Sequence, residues 1–184
     1  MSPLLKSLSN DHHNFAALLD ILEREVGKLM NDEEPDFEIV ELILAYLRRY
    51  GDHCHHPLEN LVYRQLRESQ SAAAESSSRI QGEHKDMAEH TERLLNRVRW
   101  IQLGDEKPDT AFIDSMRDFL VGYRAHMSAE ERFLFVAADE SLSEEDWLTI
   151  EARLANAIDS KLTRNVEERF LALRDYIHRL GRLD

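Results

Sequence analysis

A single cysteine, Cys54, excludes a disulfide framework and any cysteine-rich zinc or iron–sulfur site. Glycine and proline are scarce, 6 and 4 in 184 residues, so the chain has few natural breaks. No stretch alternates apolar and polar residues as a half-buried strand would. Apolar runs are short, none approaching the ~18 residues that a membrane span requires. Cations are outnumbered, 23 Lys and Arg against 36 Asp and Glu. The resulting formal charge of −13 disfavours nucleic acid as a partner, because phosphates need clustered cations, and equally disfavours an anionic membrane surface. The opening MSPLLKSLSNDHH has no basic segment followed by an apolar one. No signal peptide is expected, and a cytoplasmic location follows as the expectation.

What remains favours helices. Four long segments carry apolar residues at helical spacing. The first covers residues 4–30, with Leu5, Leu8, Phe15, Leu19, Leu22, Val26 and Leu29 in its stripe. Residues 37–67 follow the acidic turn NDEEPD, and their stripe reads Val40, Leu44, Leu47, Gly51, His55, Glu59, Val62, Leu66. A third segment starts after the soft stretch ESQSAAAESSS (68–78) and runs to residue 101, with Ile80, His84, Met87, Thr91, Leu94 and Val98 on its face. GDEKPD breaks the chain before the fourth, residues 110–138, striped by Phe112, Met116, Phe119, Tyr123, His126, Glu130, Phe133 and Ala137. Ser143 with three acidic residues after it reads as a helix start, followed by Trp147, Ile150 and Leu154. Val166, Phe170, Leu173, Ile177 and Leu180 mark a last amphipathic helix. The expected fold is all-α: an antiparallel up-down four-helix bundle over residues 1–139, with two additional C-terminal helices over 140–184.

The stripes are not purely apolar. Each holds one histidine: His12, His55, His84 and His126. Two of them add a glutamate four residues later, Glu59 and Glu130, which an α-helix projects to the same side. One such residue is readily explained as a polar group at a stripe edge. Six at once are not, because unpaired polar groups in a core are costly. In an up-down bundle all six fall in one layer, roughly 12–18 Å from the same end at ~1.5 Å per residue. Four imidazoles and two carboxylates converging there make a metal site. Without thiolates, and with carboxylates able to bridge, the set suits a pair of first-row ions, iron above all. Zinc fits less well, since four ligands would satisfy it.

The order His…His-x-x-x-Glu…His…His-x-x-x-Glu resembles the hemerythrin-like cation-binding (HHE) family. NDHHNF (10–15), HHPLENLVY (55–63), EHKDM (83–87) and AHMSAEERFLF (125–135) carry the resemblance, which spans about residues 4–138. It implies a non-haem, carboxylate-bridged centre of two iron ions that binds O2 or a related small molecule such as NO or peroxide. Such a protein senses, scavenges or buffers; a di-iron oxidase or peroxidase-type enzyme, or an iron-handling protein, is the alternative. Carried over by position, His12, His55, His84 and His126 would be terminal ligands and Glu59 and Glu130 the bridges. The oxygen carriers of the family place a further histidine where this chain has Ala88, and an aspartate where it has Glu131. Glu130 is preferred to Glu131, which turns off the stripe, and His56 is a candidate for the missing ligand.

The remaining residues have plainer expectations. His13, His53, His90 and His178 read as solvated. Tyr123 reads as packing, with its hydroxyl bonded nearby, and Cys54 as a small buried hydrophobe. Pro57 should kink its helix and leave the His53 carbonyl unbonded. The C-terminal helices have amphipathic faces that suit either a cap on the bundle or a homodimer contact.

Overall fold

The computed structural model describes residues 1–69, 73–157, 172–177 and 179, and the side chains of these except 73–81, 156 and 157. Among the described residues all regular structure is helical. Helix α1 (Pro3–Met30) starts where Ser2 accepts a hydrogen bond from the Leu5 N–H and Pro3 occupies the first turn. It ends at a reversal in which Asp32 takes a positive φ of 58°. Buried Glu25 ties that reversal down, accepting from the Asp36 N–H at 2.8 Å and pairing with Lys28 at 3.1 Å. Asp36 in turn caps α2 (Phe37–Tyr50) through the N–H groups of Glu38 and Ile39. Helix α3 (His56–Glu68) continues from α2 through the wide turn Gly51–His55.

Helix α4 (Ala73–Leu103) begins inside the serine- and alanine-rich stretch 68–78, earlier than apolar spacing alone places its start. Alanine propensity wins there over serine's turn chemistry. Gly104, at φ 79°, ends α4, and Asp109 caps α5 (Thr110–Ala129) through the Phe112 N–H at 2.7 Å. Arg97 of α4 binds both Glu106 and Asp109, bracing the connection. A second wide turn, Glu130–Leu134, leads into α6 (Phe135–Ser141), and α7 (Glu144–Ala157) follows.

Helices α1 and α4 each pack against both α2 and α5, while α3 packs on α4, α6 and α7. Two apolar clusters result. The upper one gathers Phe15, Leu19, Leu22, Ile43, Leu44, Leu47, Leu94, Val98, Met116 and Phe119, joined by Ile177 and Leu173 of the segment 172–177. The lower one gathers Leu5, Leu8, Val62, Leu66, Leu134, Phe135 and Ala138, and Ile150, Trp147 and Leu154 of α7 pack into it. Residues 166, 170, 178 and 180 of the expected last helix lie outside the described residues.

The two wide turns are π turns, in which each N–H reaches the carbonyl five residues back. His56 N–H bonds the Gly51 carbonyl, one residue before Pro57, which has no N–H and whose ring crowds the carbonyl four residues earlier. Widening the turn absorbs the proline without a break. The second π turn has no proline. It carries one extra residue, which rotates everything after it by about 100° relative to an α-helix. Phe133, expected on the buried stripe, is therefore 52% exposed, and Leu134 is buried at 3% in its place.

Candidate metal centre

A polar layer separates the two apolar clusters. On α1, His12 sits between Leu8, in the lower cluster, and Phe15, in the upper one. Its ring stacks on Phe135, and Phe15 meets the edge of His55 at 5.0 Å between centroids. His12, His55, Glu59, His126 and Glu130 are all buried, and the His84 side chain is 12% exposed. All six residues of the expected layer meet.

The carboxylates lie between the imidazoles. Glu59 turns Oε1 to His55 Nε2 at 3.1 Å and His12 Nε2 at 3.6 Å, and Oε2 to His84 Nε2 at 3.4 Å. Glu130 turns Oε2 to His12 Nε2 at 3.4 Å, and Oε1 to His84 and His126 Nε2 at 3.1 and 3.0 Å. Each carboxylate thus faces two separate groups of nitrogens with two different oxygens. The donor atoms fall into two sets within 4.8 Å, one of His12, His55, Glu59 and Glu130, the other of His56, His84 and His126. His56 is buried and stacks on His84 with centroids 4.1 Å apart and planes 14° from parallel.

Several of these close atoms are badly aligned for hydrogen bonding. Both oxygens of Glu59, Oε2 of Glu130 and Nε2 of His126 have no hydrogen-bond partner although they are fully buried. Buried carboxylate oxygens left so are costly unless a cation completes them. The donor chemistry, imidazole and carboxylate with no thiolate, fits such a cation.

Proton balance points the same way. Burial alone would lower the His12 and His55 pKa values, but the adjacent carboxylates outweigh it and raise them to about 9 and about 10. The two rings meet Nε2 to Nε2 at 3.1 Å, a hydrogen bond only when one of the two nitrogens carries a proton and the other does not. Burial and the neighbouring His84 push His56 down to about 3, leaving it a neutral donor of electron pairs. Burial also opposes charge on Glu59 and Glu130, yet the surrounding imidazoles hold both carboxyls below their ordinary range. Protonated imidazole supplies the positive charge that the two carboxylates demand.

Outside the layer is a set of carboxylates that the sequence reading missed. Asp11 accepts from His55 Nδ1 at 3.1 Å and from the Tyr50 hydroxyl at 2.9 Å. Glu83 faces His126 Nδ1 at 3.0 Å and Glu131 faces His12 Nδ1 at 3.0 Å. Each leaves Nε2 of its imidazole aimed at the layer, the arrangement by which outer carboxylates orient ligating histidines. A signal was present: Asp11 directly precedes His12 and Glu83 directly precedes His84, and each serves the histidine of the next long helix. Glu131 does turn off the buried stripe, as expected, but it bonds His12 from its half-exposed position.

Other expectations divide. His13 and His53 are exposed. His90 is not solvated: its Nε2 meets Ser115 Oγ at 3.0 Å and its ring packs edge-on to Phe119. A residue just off a stripe faces the neighbouring helix rather than water. Cys54 is half-buried against the upper cluster. Tyr123 is buried, but its hydroxyl has no hydrogen-bond partner, because Phe15 and Phe119 hold its ring among apolar neighbours. His178 lies outside the described residues.

Among the described residues no helix is long and apolar enough to cross a membrane. A family model described as hemerythrin HHE cation binding domain matches residues 4–138. No curated protein and no solved structure matches the chain.

Proposed function

The chain belongs to the hemerythrin HHE cation-binding family, and from that premise we propose that it is a non-haem di-iron protein that binds O2, NO or peroxide. Sensing, scavenging or buffering of iron and oxygen is the role this reading gives it. The reading takes the four long helical segments as an antiparallel up-down bundle, with residues 140–184 as an extension to the 1–139 unit.

The carrying observation is that Glu59 and Glu130 each direct one oxygen at the His12–His55 side and the other at the His84 side, with orphaned oxygens between. Glu59 and Glu130 are the bridges of this reading. His12 and His55 would hold one ion; His84, His126 and His56 would hold the other. His56 replaces the ligand that Ala88 cannot provide. Two ferrous ions so held would supply electrons and an open position for a diatomic or peroxide ligand. The residues do the rest. Asp11, Glu83 and Glu131 fix the tautomer and orientation of their imidazoles. Phe15, Phe135 and the apolar clusters on both sides keep bulk water from the layer.

A second reading, an oxidase- or peroxidase-type enzyme or an iron-handling protein, draws on the unequal donor sets. Two imidazoles serve one side and three the other, so with both carboxylates shared the His12–His55 side would have one donor fewer. Anaerobic loading with ferrous iron, metal counting and then exposure to O2 tests both. About two irons per chain are expected for this donor set, and Glu59→Ala or Glu130→Ala should lose both together, whereas His13→Ala should lose neither. An optical change that reverses when O2 is removed marks a binding protein; irreversible oxidation with turnover marks the second reading. One zinc and no iron from iron-replete growth would overturn the di-iron assignment.

A further inference from the structure

A cleft of about 850 Å³ opens between α4 and α5, beside the polar layer. That is the size of small-molecule sites, which commonly run to several hundred Å³. Its floor is the α5 face formed by Gly122, Ala125 and Ala129, with Met87 on the opposite wall. At ~1.5 Å per residue the stretch from Gly122 to Phe133 is about 16 Å long, so the space is a trough rather than a round pocket. A Cβ built on Gly122 meets nothing within 4 Å. Glycine weakens a helix relative to alanine, and no packing contact at this position requires it.

The two ends differ. At one, the π turn holds the Phe133 ring out of the core, 52% exposed and lining the cleft. Towards the other lies Arg93, exposed and without a carboxylate partner among the described residues, in a chain where most of the other cleft-side charge is acidic. Glu83 and Asp86 stand along the side between them, so an anion is directed to the Arg93 end. The middle of the trough includes His126, whose Nε2 is buried in the polar layer without a hydrogen-bond partner.

We propose that the α4–α5 cleft binds a medium-chain fatty carboxylate, with its carboxylate at Arg93 and its alkyl chain along Gly122, Ala125 and Ala129 towards Phe133. A ten-carbon chain matches the trough, and its middle passes one imidazole away from the metal layer. All the contacts come from protein side chains, so the site stands whether or not the di-iron reading does.

The test is titration of the full chain with decanoate below its micelle concentration, followed by calorimetry and by the methyl resonances of Met87, Ala125 and Ala129. One decanoate per chain is expected, shifting those methyls in a saturable way, with and without chelator present. Arg93→Gln should weaken binding about tenfold, the scale of one charge-assisted pair. Decanol should bind wild type no better than decanoate binds that variant, and butyrate should bind far more weakly than decanoate. Gly122→Leu, which improves helix propensity and fills the trough, should abolish binding while circular dichroism stays unchanged. Equal decanoate affinity in wild type and Arg93→Gln, several decanoates bound per chain, or shifts at other methyls would each overturn the proposal. Iron counted on the same samples separates the two readings: two irons without decanoate binding removes only the cleft, and decanoate binding without iron removes only the metal centre.

Discussion

Gly51 leaves room for the His56 ring. A Cβ on Gly51 would lie 3.1 Å from His56 Cε1, tight enough that the ring must give by a few tenths of an ångström, with Nε2 of the same ring next at 3.5 Å. The missing side chain lets His56 fold inward onto His84, where it completes the second donor set. Gly51→Ala should therefore push the ring aside and mimic part of His56→Ala. Both variants should bind iron at least tenfold more weakly than wild type, the scale seen when a ligand's support is lost, and both should change the optical spectrum in the same sense. Wild-type iron affinity in Gly51→Ala, alongside a loss in His56→Ala, would mean that the ring does not depend on that space. The sequence placed His55 and Glu59 on the stripe but could not place His56. A neighbour of a stripe residue points inward or outward according to a local turn, and that turn is set by Pro57 and by what Gly51 leaves open.

At the scale of elements, both glutamate-bearing helices contain a π turn beside their ligands, and neither turn is written in a periodic pattern. Apolar spacing assumes a uniform 3.6 residues per turn, so it places Phe133 on the buried stripe. The structure exposes Phe133 and puts Leu134 inside the lower cluster with Val62 and Leu66. Leu134→Ala should then cost about 2–5 kcal/mol in chemical denaturation, as buried leucines do, and Phe133→Ala should cost well under 1 kcal/mol, as exposed substitutions do. A larger loss from Phe133→Ala than from Leu134→Ala would restore the regular helix. The breaks at NDEEPD and GDEKPD and the helix start at Ser143 were legible, whereas the start of α4 inside residues 68–78 was not. Ser2, Asp36, Asp109 and Ser143 stand at helix starts, and each accepts from an N–H of the first turn, Ser143 also donating its hydroxyl to Asp146.

For the whole molecule, the layer joins four long helical segments through charge rather than apolar contact, so cation binding should appear as folding stability. Chelation should lower Tm while leaving the helical spectrum in place, and an unmoved melting curve would mean that the six residues share no site. The metal-free protein should also show a defined pH profile. The His12–His55 pair has a pKa raised by Glu130 and Glu59 above the ordinary 6.5, to about 9 and about 10 for the two rings. A raised folded value stabilises fully below 6.5, and that contribution is lost as pH climbs through 9 to 10. Glu59 and Glu130 have depressed values, so their contribution is present above the ordinary 4.5 and is lost as pH falls through their folded values. Thermal melts in chelator should peak between these limits and decline steadily from pH 6.5 towards 10, with the alkaline decline reduced in Glu130→Gln. A flat profile over that range would show that no proton is held between the carboxylates and the imidazoles.

Composition and spacing by themselves determined that the chain is helical, and that His12, His55, Glu59, His84, His126 and Glu130 lie on core-facing stripes, because 3.6-residue periodicity is a local property of the backbone. Charge excess, cysteine count and the absence of long apolar runs likewise needed no coordinates. What only the tertiary structure decided lies between helices. Asp11, Glu83 and Glu131 adjoin residues of the layer in sequence, but only packing makes each the partner of an imidazole on another helix. The division of the donors into two sets, the inward turn of His56, and the cleft left open by Gly122, Ala125 and Ala129 depend on helix separation and on two π turns. Those are set by the volumes of both packing partners at once, and no single segment contains that information.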